Sequence, residues 1–541
     1  MSYTAHLDTF ARDNLPPKDQ WPELVFDLPE LQFPERLNCA HELLDRWVEQ
    51  GQGERLCMQG VGVHWTYAQL QAQANRIARV LVEDLGVVPG NRVLLRGANT
   101  PQMAACWFAI MKVGAIAVAT MPLLRAKELC QVVQKAQVSH ALCDARLAEE
   151  LTLAQAQCPT LKSVAYYFSE APDGIEARAA GKPAAFANVE TASDDCCIIA
   201  FTSGTTGEPK GTMHFHRDVM AICRCWPPHV LRPEASDIFI GSPPLAFTFG
   251  LGGLVLFPMS VGASTVLLEK AGPDALLPAI AQYRATVCFT APTSYRVMAS
   301  QVGAYDIASL RKCVSAGEAL PAATRQLWKE ASGIEMIDGI GATELLHIFI
   351  SHTEAQAKPG ATGTPVPGYR ACVMDDEGQV LPAGQIGKLA VQGPTGCRYL
   401  ADARQGKYVK NGWNLTGDAY LIDDEGFFVY QSRTDDMIVS GGYNIAGPEV
   451  ESALLAHPKV AECGVVGVAD AERGQIVKAF VVLRPGVQEQ LGQDPTLVRE
   501  LQDYVKANIA PYKYPRAIEF RASLPRTETG KLQRFRLRQE G

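Results

Sequence analysis

The chain has 541 residues, 47% hydrophobic and 20% charged, with a formal net charge of −8 and a pI near 5.8. That length exceeds a single core and implies two or more domains, while the acidic balance, with no basic block, internal repeat or low-complexity tract, argues against a nucleic-acid surface. The opening MSYTAHLDTFARDNLPP lacks a basic start followed by an apolar run, so it does not read as a signal peptide, and fifteen cysteines without a Cys-x-x-Cys pair fit free thiols in a reducing cytoplasm.

In chain order, strand-like runs alternate with amphipathic helical patterns: a strand at Arg92 to Leu95, a helix at Pro101 to Val113, a strand at Ala115 to Ala119 and a helix near Lys127 to Ala136. The most membrane-like stretch, Met103 to Leu124, is broken by Lys112, Gly114 and Pro122, so it predicts a buried helix followed by a buried strand and no membrane partner. Next comes an apolar run, Cys196 to Ala200, leading directly into FTSGTTGEPKGTMHFH at 201–216. Successive backbone N–H groups in a Gly-rich turn, with hydroxyls and Lys210 beside them, suit phosphate oxygens. It is not a P-loop: Pro209 precedes Lys210 and Gly211 follows it, where that motif needs Gly and then Ser or Thr. A plain connecting loop remains the alternative on this segment alone. His214 and His216 alternate as metal ligands can, but a structural role is the reading preferred, and Cys196, Cys197, Cys223 and Cys225 read as core or helix-face residues.

The alternation resumes with a strand at Thr286 to Thr290, a helix after Pro292, a strand at Arg311 to Ser315 and a helix after Pro321. This pattern predicts an α/β fold of βαβ units with largely parallel sheets, whose ligands lie beyond the carboxyl ends of the strands. Two further small-residue loops follow strands there. Gly317, Glu318 and Ala319 would let a flat ring approach the backbone, and Asp338-Gly339-Ile340-Gly341-Ala342-Thr343-Glu344 offers a hydroxyl and a carboxylate able to hold a magnesium ion that bridges phosphates. From about Gly363 short strands with Asp-rich turns predict an antiparallel hairpin region, and Asn414 to Asp418 places a carboxylate where two vicinal sugar hydroxyls could donate to it. A charged, glycine-rich junction runs from Arg433 to Tyr443. Beyond it a helix from Pro448, strands at Gly464 to Val468 and Lys478 to Val482, a helix at Leu497 to Ile509 and a strand at Arg516 to Phe520 predict a small α+β domain.

Each motif is weak alone, but TSGTTGEPKG, GIGATE, TGD, SRTDD and TGK occur in that order. From Trp65 to the C-terminus the chain resembles the acyl-adenylate-forming (AMP-binding) superfamily, which includes acyl-CoA synthetases, luciferases and peptide-synthetase adenylation domains. The resemblance implies a large N-terminal domain, 1–434, of mainly parallel sheets with flanking helices and a β-rich subdomain, and a small mobile C-terminal domain, 435–541, with its hinge at Asp435. It also implies ATP, Mg2+ and coenzyme A as cofactors. Thr202, Ser203, Gly204, Thr205, Thr206, Gly207 and Lys210 would cradle the triphosphate; Thr343 would contact the α-phosphate and Glu344 would hold the metal. Gly317, Glu318 and Ala319 would border the adenine, Asp418 and Arg433 would bind the ribose, and Asp338 would belong to the same cofactor site. Lys531 would bridge carboxylate and α-phosphate. After rotation of the small domain, Ser440, Gly441, Gly442 and Tyr443 would complete the thiol tunnel, with Arg473, Lys478 and Lys513 as candidates for the coenzyme A phosphates.

Within the superfamily, Pro244 to Gly252 and Gly339 to Ile350 most resemble benzoate and 2-aminobenzoate CoA ligases. Phe247 stands where many members carry His, and Ile340 where many carry an aromatic residue, which implies a small flat aromatic acid. Phe247, Thr248, Phe249, Gly341 and His347 would line its pocket, with His347 or Thr248 bonding an ortho substituent. The N-terminal resemblance favours 2-aminobenzoate (anthranilate) over benzoate. A cytoplasmic homodimer is the expected form. The alternatives are an adenylation enzyme loading an aryl acid onto a separate carrier protein, a ligase for another small aromatic or fatty acid, and a non-catalytic nucleotide sensor.

Overall fold

The computed structural model describes residues 3–202, 209–440, 443–470, 473–485, 495–509, 511–526 and 531–540. The helix Pro101–Lys112 shows how local sequence builds the core. Thr100 caps it by accepting from the Met103 amide, Pro101 occupies the first turn, where a missing N–H costs nothing, and all twelve residues are buried. Gly114, at a φ of 67°, then turns the chain into the strand Ile116–Thr120. Among the described residues no helix is long and apolar enough to cross a membrane. The lysine that interrupts the apolar stretch is neutralised inside: Lys112 Nζ lies 2.6 Å from both carboxylate oxygens of buried Asp45 and donates to Asn188 Oδ1 at 3.1 Å.

Two sheets carry the large region. One has six strands in the order Ser163–Tyr167, His140–Asp144, Arg92–Arg96, Ile116–Thr120, Cys196–Thr202 and Lys210–Phe215, parallel except for the last pair. The other has nine strands, whose parallel centre includes Ile238–Gly241, Val287–Thr290, Lys312–Ser315 and Met336–Gly341 and whose edges are antiparallel. The predicted elements recur within a residue or two: the helix after Pro292 spans Pro292–Ala299, and the helix after Pro321 spans Ala322–Ser332. An antiparallel five-stranded sheet, from Arg370–Met374 to Phe428–Arg433, forms the β-rich part.

The fourth sheet is built only from strands beginning at Ile438 or later: Ile438–Ser440, Tyr443–Ile445, Val460–Asp470, Gly474–Leu483 and Ala517–Phe520. The helices Gly447–Leu455 and Pro495–Asn508 belong to this region, whose core includes Val450, Leu454, Val465, Leu497, Leu501 and Val505. It meets the large region through a few directed contacts. Arg296 donates to the carbonyls of Ala461, Leu455 and Val460 at 3.2 to 3.4 Å, and Arg526 stands between Glu318, at 3.6 Å, and Glu462, at 2.8 Å.

Because Lys112 has Asp45 as its buried counter-charge, Asp45→Ala leaves an uncompensated ammonium inside the core. Urea unfolding of that variant is expected to show a loss of about 3–5 kcal/mol, whereas replacing the exposed Asp376 the same way should change stability by less than about 0.5 kcal/mol.

Candidate active site

The base of a hairpin and two loops come together beyond the carboxyl ends of the strands. In the first, Thr202 pairs with Lys210; Ser203, Gly204, Thr205, Thr206 and Gly207 lie outside the described residues. At its base the Thr202 hydroxyl is buried without a partner among the described residues. Lys210 Nζ donates to the Tyr399 hydroxyl at 2.9 Å and lies 3.5 Å from Glu344 Oε1, to which Tyr399 also donates. Glu344 and Thr343 come from the short turn Thr343–Leu345 after the strand Met336–Gly341, so the second loop closes on the first.

The carbonyl of Thr343 is tied to the hairpin by His214 Nε2 at 2.8 Å. Behind His214 stands Asp218, fully buried and paired with fully buried Arg398, whose guanidinium lies 3.9 Å over the Phe215 ring. Burial opposes the Asp218 charge, but Arg398 and the His214 contact outweigh it and hold the carboxyl below its ordinary range. His214 is thus a strut. His216 Nδ1 accepts from the Cys39 amide at 3.2 Å and touches Cys39 Sγ at the same distance, with Cys197 nearby, all fully buried.

On the far side of the cleft, Gly317 takes a φ of +89°, and a Cβ added there would lie 3.8 Å from Lys531 Cε. Lys531 therefore reaches the Gly317 loop in this arrangement of the two regions. Its residue surface is exposed at the cleft mouth, yet the protein packed around its ammonium lowers its pKa, an effect opposed by Glu318 and reinforced by Arg433. Burial raises the pKa of Glu318, which accepts from Thr293 Oγ1 at 3.0 Å, while Ala319 beside it is exposed. Asp338 is buried, its Oδ1 has no partner among the described residues, and burial pushes its carboxyl up to about 7. Asp418 is raised by burial as well, although Arg433 donates to it at 2.9 Å. The cleft thus holds acceptors that want donors.

An aromatic cluster surrounds His347. Its ring is 2% exposed; the Phe249 backbone stands close to it, and neither nitrogen makes a well-aligned hydrogen bond among the described residues. Phe257 meets it edge-on at 4.4 Å, with Phe249 at 5.8 Å and Trp226 at 6.1 Å. Burial drives its pKa down to about 3, so the imidazole is neutral. The ring reaches this position because Gly252 has no side chain: a Cβ there would lie 2.3 Å from His347 Cδ2. Gly341 backs against the His347 carbonyl with the same requirement, its Cβ falling 2.8 Å from the oxygen. Phe247 and Thr248 stand half-buried at the first turn of the helix Thr248–Leu251.

Gly441 and Gly442 lie outside the described residues. Asp435 sits in a 3-10 turn, Thr434–Asp436, between the β-rich sheet and the C-terminal sheet. Lys478 and Lys513 are engaged by Glu519 and Glu449 at 3.0 and 2.6 Å, and Arg473 is exposed. Sequence reading missed Tyr399, Arg398, Trp226 and Phe257. They come from segments far apart in the chain and carry no motif that marks them; only the tertiary fold brings them to the loops.

The layered parallel sheets, the β-rich sheet and the small terminal region around one polar cleft define a two-domain α/β enzyme fold. The AMP-binding enzyme family matches residues 44–399 and its C-terminal domain matches 449–531, and the chain belongs to that family. It is 34% identical over 516 residues to the benzoate–CoA ligase of Thauera aromatica, covering 94% of this chain and 97% of the relative. A crystal structure of the anthranilate CoA ligase AuaEII with anthranoyl-AMP is 33% identical and superposes with a TM-score of 0.88, covering 95% of this chain and 99% of that one. A benzoate CoA ligase from Burkholderia xenovorans LB400 is 30% identical with a TM-score of 0.84, covering 93% and 99%. These relatives place the chain among the family's AMP-forming acid–CoA ligases, which use ATP, Mg2+ and coenzyme A.

Asp338 yields a stability signature. Its folded pKa, about 7, lies above the ordinary 3.8, so folding takes up a proton and stability falls as pH rises from about 4 to about 7. In denaturant unfolding across that window, Asp338→Asn should gain steadily on the wild type and the difference should level off above pH 7. A difference independent of pH would show that Asp338 is not the buried carboxyl described.

Proposed function

We propose that the protein is an ATP-dependent aryl-CoA ligase that activates 2-aminobenzoate, or benzoate, through an acyl-adenylate, then forms the coenzyme A thioester and releases AMP and pyrophosphate. The observation that carries the choice of acid is His347: a neutral imidazole inside an aromatic box, with no well-aligned hydrogen bond to either nitrogen among the described residues. Such a group is costly to bury unpaired and is compensated by a substituent it can bond. A flat ring packed against Phe249 and His347 with an ortho amine supplies that bond; a long alkyl chain does not. The benzoate and anthranilate ligases among the relatives support the same reading.

The cleft residues take roles that their positions suit. Lys210, with Thr202 and the loop 203–207, faces the phosphates. Thr343, anchored by His214, addresses the α-phosphate, and Gly317, Glu318, Ala319 and Asp338 border the adenine. Asp418 and Arg433 receive the ribose hydroxyls. Glu344 holds Mg2+, and its carboxylate fits: Tyr399 and Lys210 approach Oε1, while Oε2 has no partner among the described residues. The ion supplies charge neutralisation between phosphate oxygens. Attack of a carboxylate on a phosphate brings two anions together, and the Lys531 ammonium beside Gly317 lowers that electrostatic barrier.

For the thiol step the small domain, 435–541, turns on Asp435 against 1–434, withdrawing Lys531 and bringing Ser440, Gly441, Gly442 and Tyr443 to the acyl-adenylate. The contacts of Arg296 and Arg526 across the boundary are those this turn has to release. A cytoplasmic homodimer is the form proposed.

AMP release dependent on coenzyme A, with ATP and Mg2+, is to be measured across benzoate, 2-aminobenzoate, hydroxybenzoates, fluorobenzoates and a medium-chain fatty acid. Strong turnover with 2-aminobenzoate is expected. Turnover with fatty acids alone, or pyrophosphate exchange without thioester, would sink the aryl-CoA reading. His347→Leu should retain benzoate turnover and lower kcat/KM for 2-aminobenzoate about tenfold or more, the effect of one lost buried hydrogen bond. Lys531→Ala should abolish adenylate formation and leave thioester formation from supplied acyl-adenylate largely intact; loss of both half-reactions would contradict the two-orientation scheme.

A further inference from the structure

Tyr399 belongs to none of the loop motifs, yet it stands at their meeting point. The segment around it pairs with the second strand of the hairpin: Met213 N donates to Arg398 O and Leu400 N to Gly211 O, both at 2.8 Å, and Thr212 bridges Tyr399. The ring is 1% exposed and packs edge-on against Tyr408 at 5.7 Å, while the Tyr399 amide donates to Gln405 Oε1 at 2.9 Å. Backbone and ring are therefore both held, and the hydroxyl has little freedom.

The proton arrangement around that hydroxyl is determined by the partners. An ammonium only donates, so the phenol oxygen accepts from Lys210 Nζ and the phenol hydrogen goes to Glu344 Oε1. The bond occupies one of the two carboxylate oxygens and leaves Oε2 without a hydrogen bond among the described residues.

We infer that Tyr399 is a positioning residue that makes Glu344 a one-oxygen ligand for the divalent cation. The inference rests on the assignment of Glu344 to the cation proposed above. Its chemical consequence is selectivity. Mg2+ takes six ligands at short, near-octahedral distances and uses carboxylates one oxygen at a time, whereas Ca2+ accommodates both oxygens of one carboxylate. With Oε1 tied to a buried phenol, two-oxygen binding is disfavoured and Ca2+ is held less well.

The test is Tyr399→Phe in the full-length enzyme; Phe keeps the ring and its packing. Two readouts are taken: competition of Ca2+ and Mg2+ for a bound Mn2+–ATP probe, followed by Mn2+ electron paramagnetic resonance, and Ca2+ inhibition of Mg2+-supported adenylate formation. The expected result is that Ca2+ displaces the probe at least fivefold better relative to Mg2+ than in the wild type, with Ca2+ inhibition strengthened to match and thioester formation from supplied acyl-adenylate unchanged. A lowered unfolding midpoint with an unaltered Ca2+ to Mg2+ ratio would assign Tyr399 a purely structural role and overturn the inference. Should the Phe variant fail to fold, Glu344→Asp, which draws the carboxylate back from Tyr399 by one methylene, is expected to shift the ratio in the same direction, and no shift overturns it. Glu344→Gln separates the two levels. Undiminished Mn2+–ATP binding by that variant removes the assignment of Glu344 itself, whereas lost binding there with a wild-type ratio in Tyr399→Phe removes only the role of Tyr399.

Discussion

Charge taken out of water is the constraint on which the rest of this structure depends. Glu344, Asp338, Asp418 and Glu318 all face one cleft, and Lys210, Arg433, Lys531 and Arg526 are the cations set against them. Burying such groups costs several kcal/mol each unless they are paired, and the pairing here is incomplete. Asp338 keeps an unpartnered oxygen and a raised pKa, and Lys531 is held at a lowered one. Groups left in this condition mark places where ligand atoms complete the balance.

Holding those groups still requires a rigid support beneath the loops. The hairpin Cys196–Thr202 to Lys210–Phe215 is the edge of a sheet whose other strands are parallel and buried, so its base cannot shift without disturbing the core. Asp218, Arg398 and His214 join that base to the carbonyl of Thr343. A buried ion pair contributes little net stability; its value here is geometric, because it couples the hairpin to the turn that carries Thr343 and Glu344.

The contact between the two regions has the opposite character. Arg296 reaches three carbonyls of the small region through one flexible side chain, and Arg526 shares itself between Glu318 and Glu462. Directed hydrogen bonds from long side chains hold an orientation yet part without opening an apolar core. That suits the turning of the small domain proposed above.

Much of this was legible in the chain. The alternation of strand and helix patterns, the capped helix at Pro101 and the Gly-rich loops after strands each follow from local spacing and backbone preference, and the motif order pointed to the family that the comparisons show. The aromatic cluster proposed to receive the acid was legible only in part: Phe249 and His347 lie beside recognisable motifs, whereas Trp226 and Phe257 join them through packing alone. Whether a glycine is required also depends on what faces it, as Gly252 does on the His347 ring. Sequence by itself therefore determined the elements, the loop chemistry and the cations to expect, because those depend on residues close together in the chain. The pairing of Lys210 and Glu344 through Tyr399, the shifted protonation of Asp338 and His347 and the approach of Lys531 to Gly317 were decided only by tertiary structure, because each depends on which distant atoms exclude water from a charge.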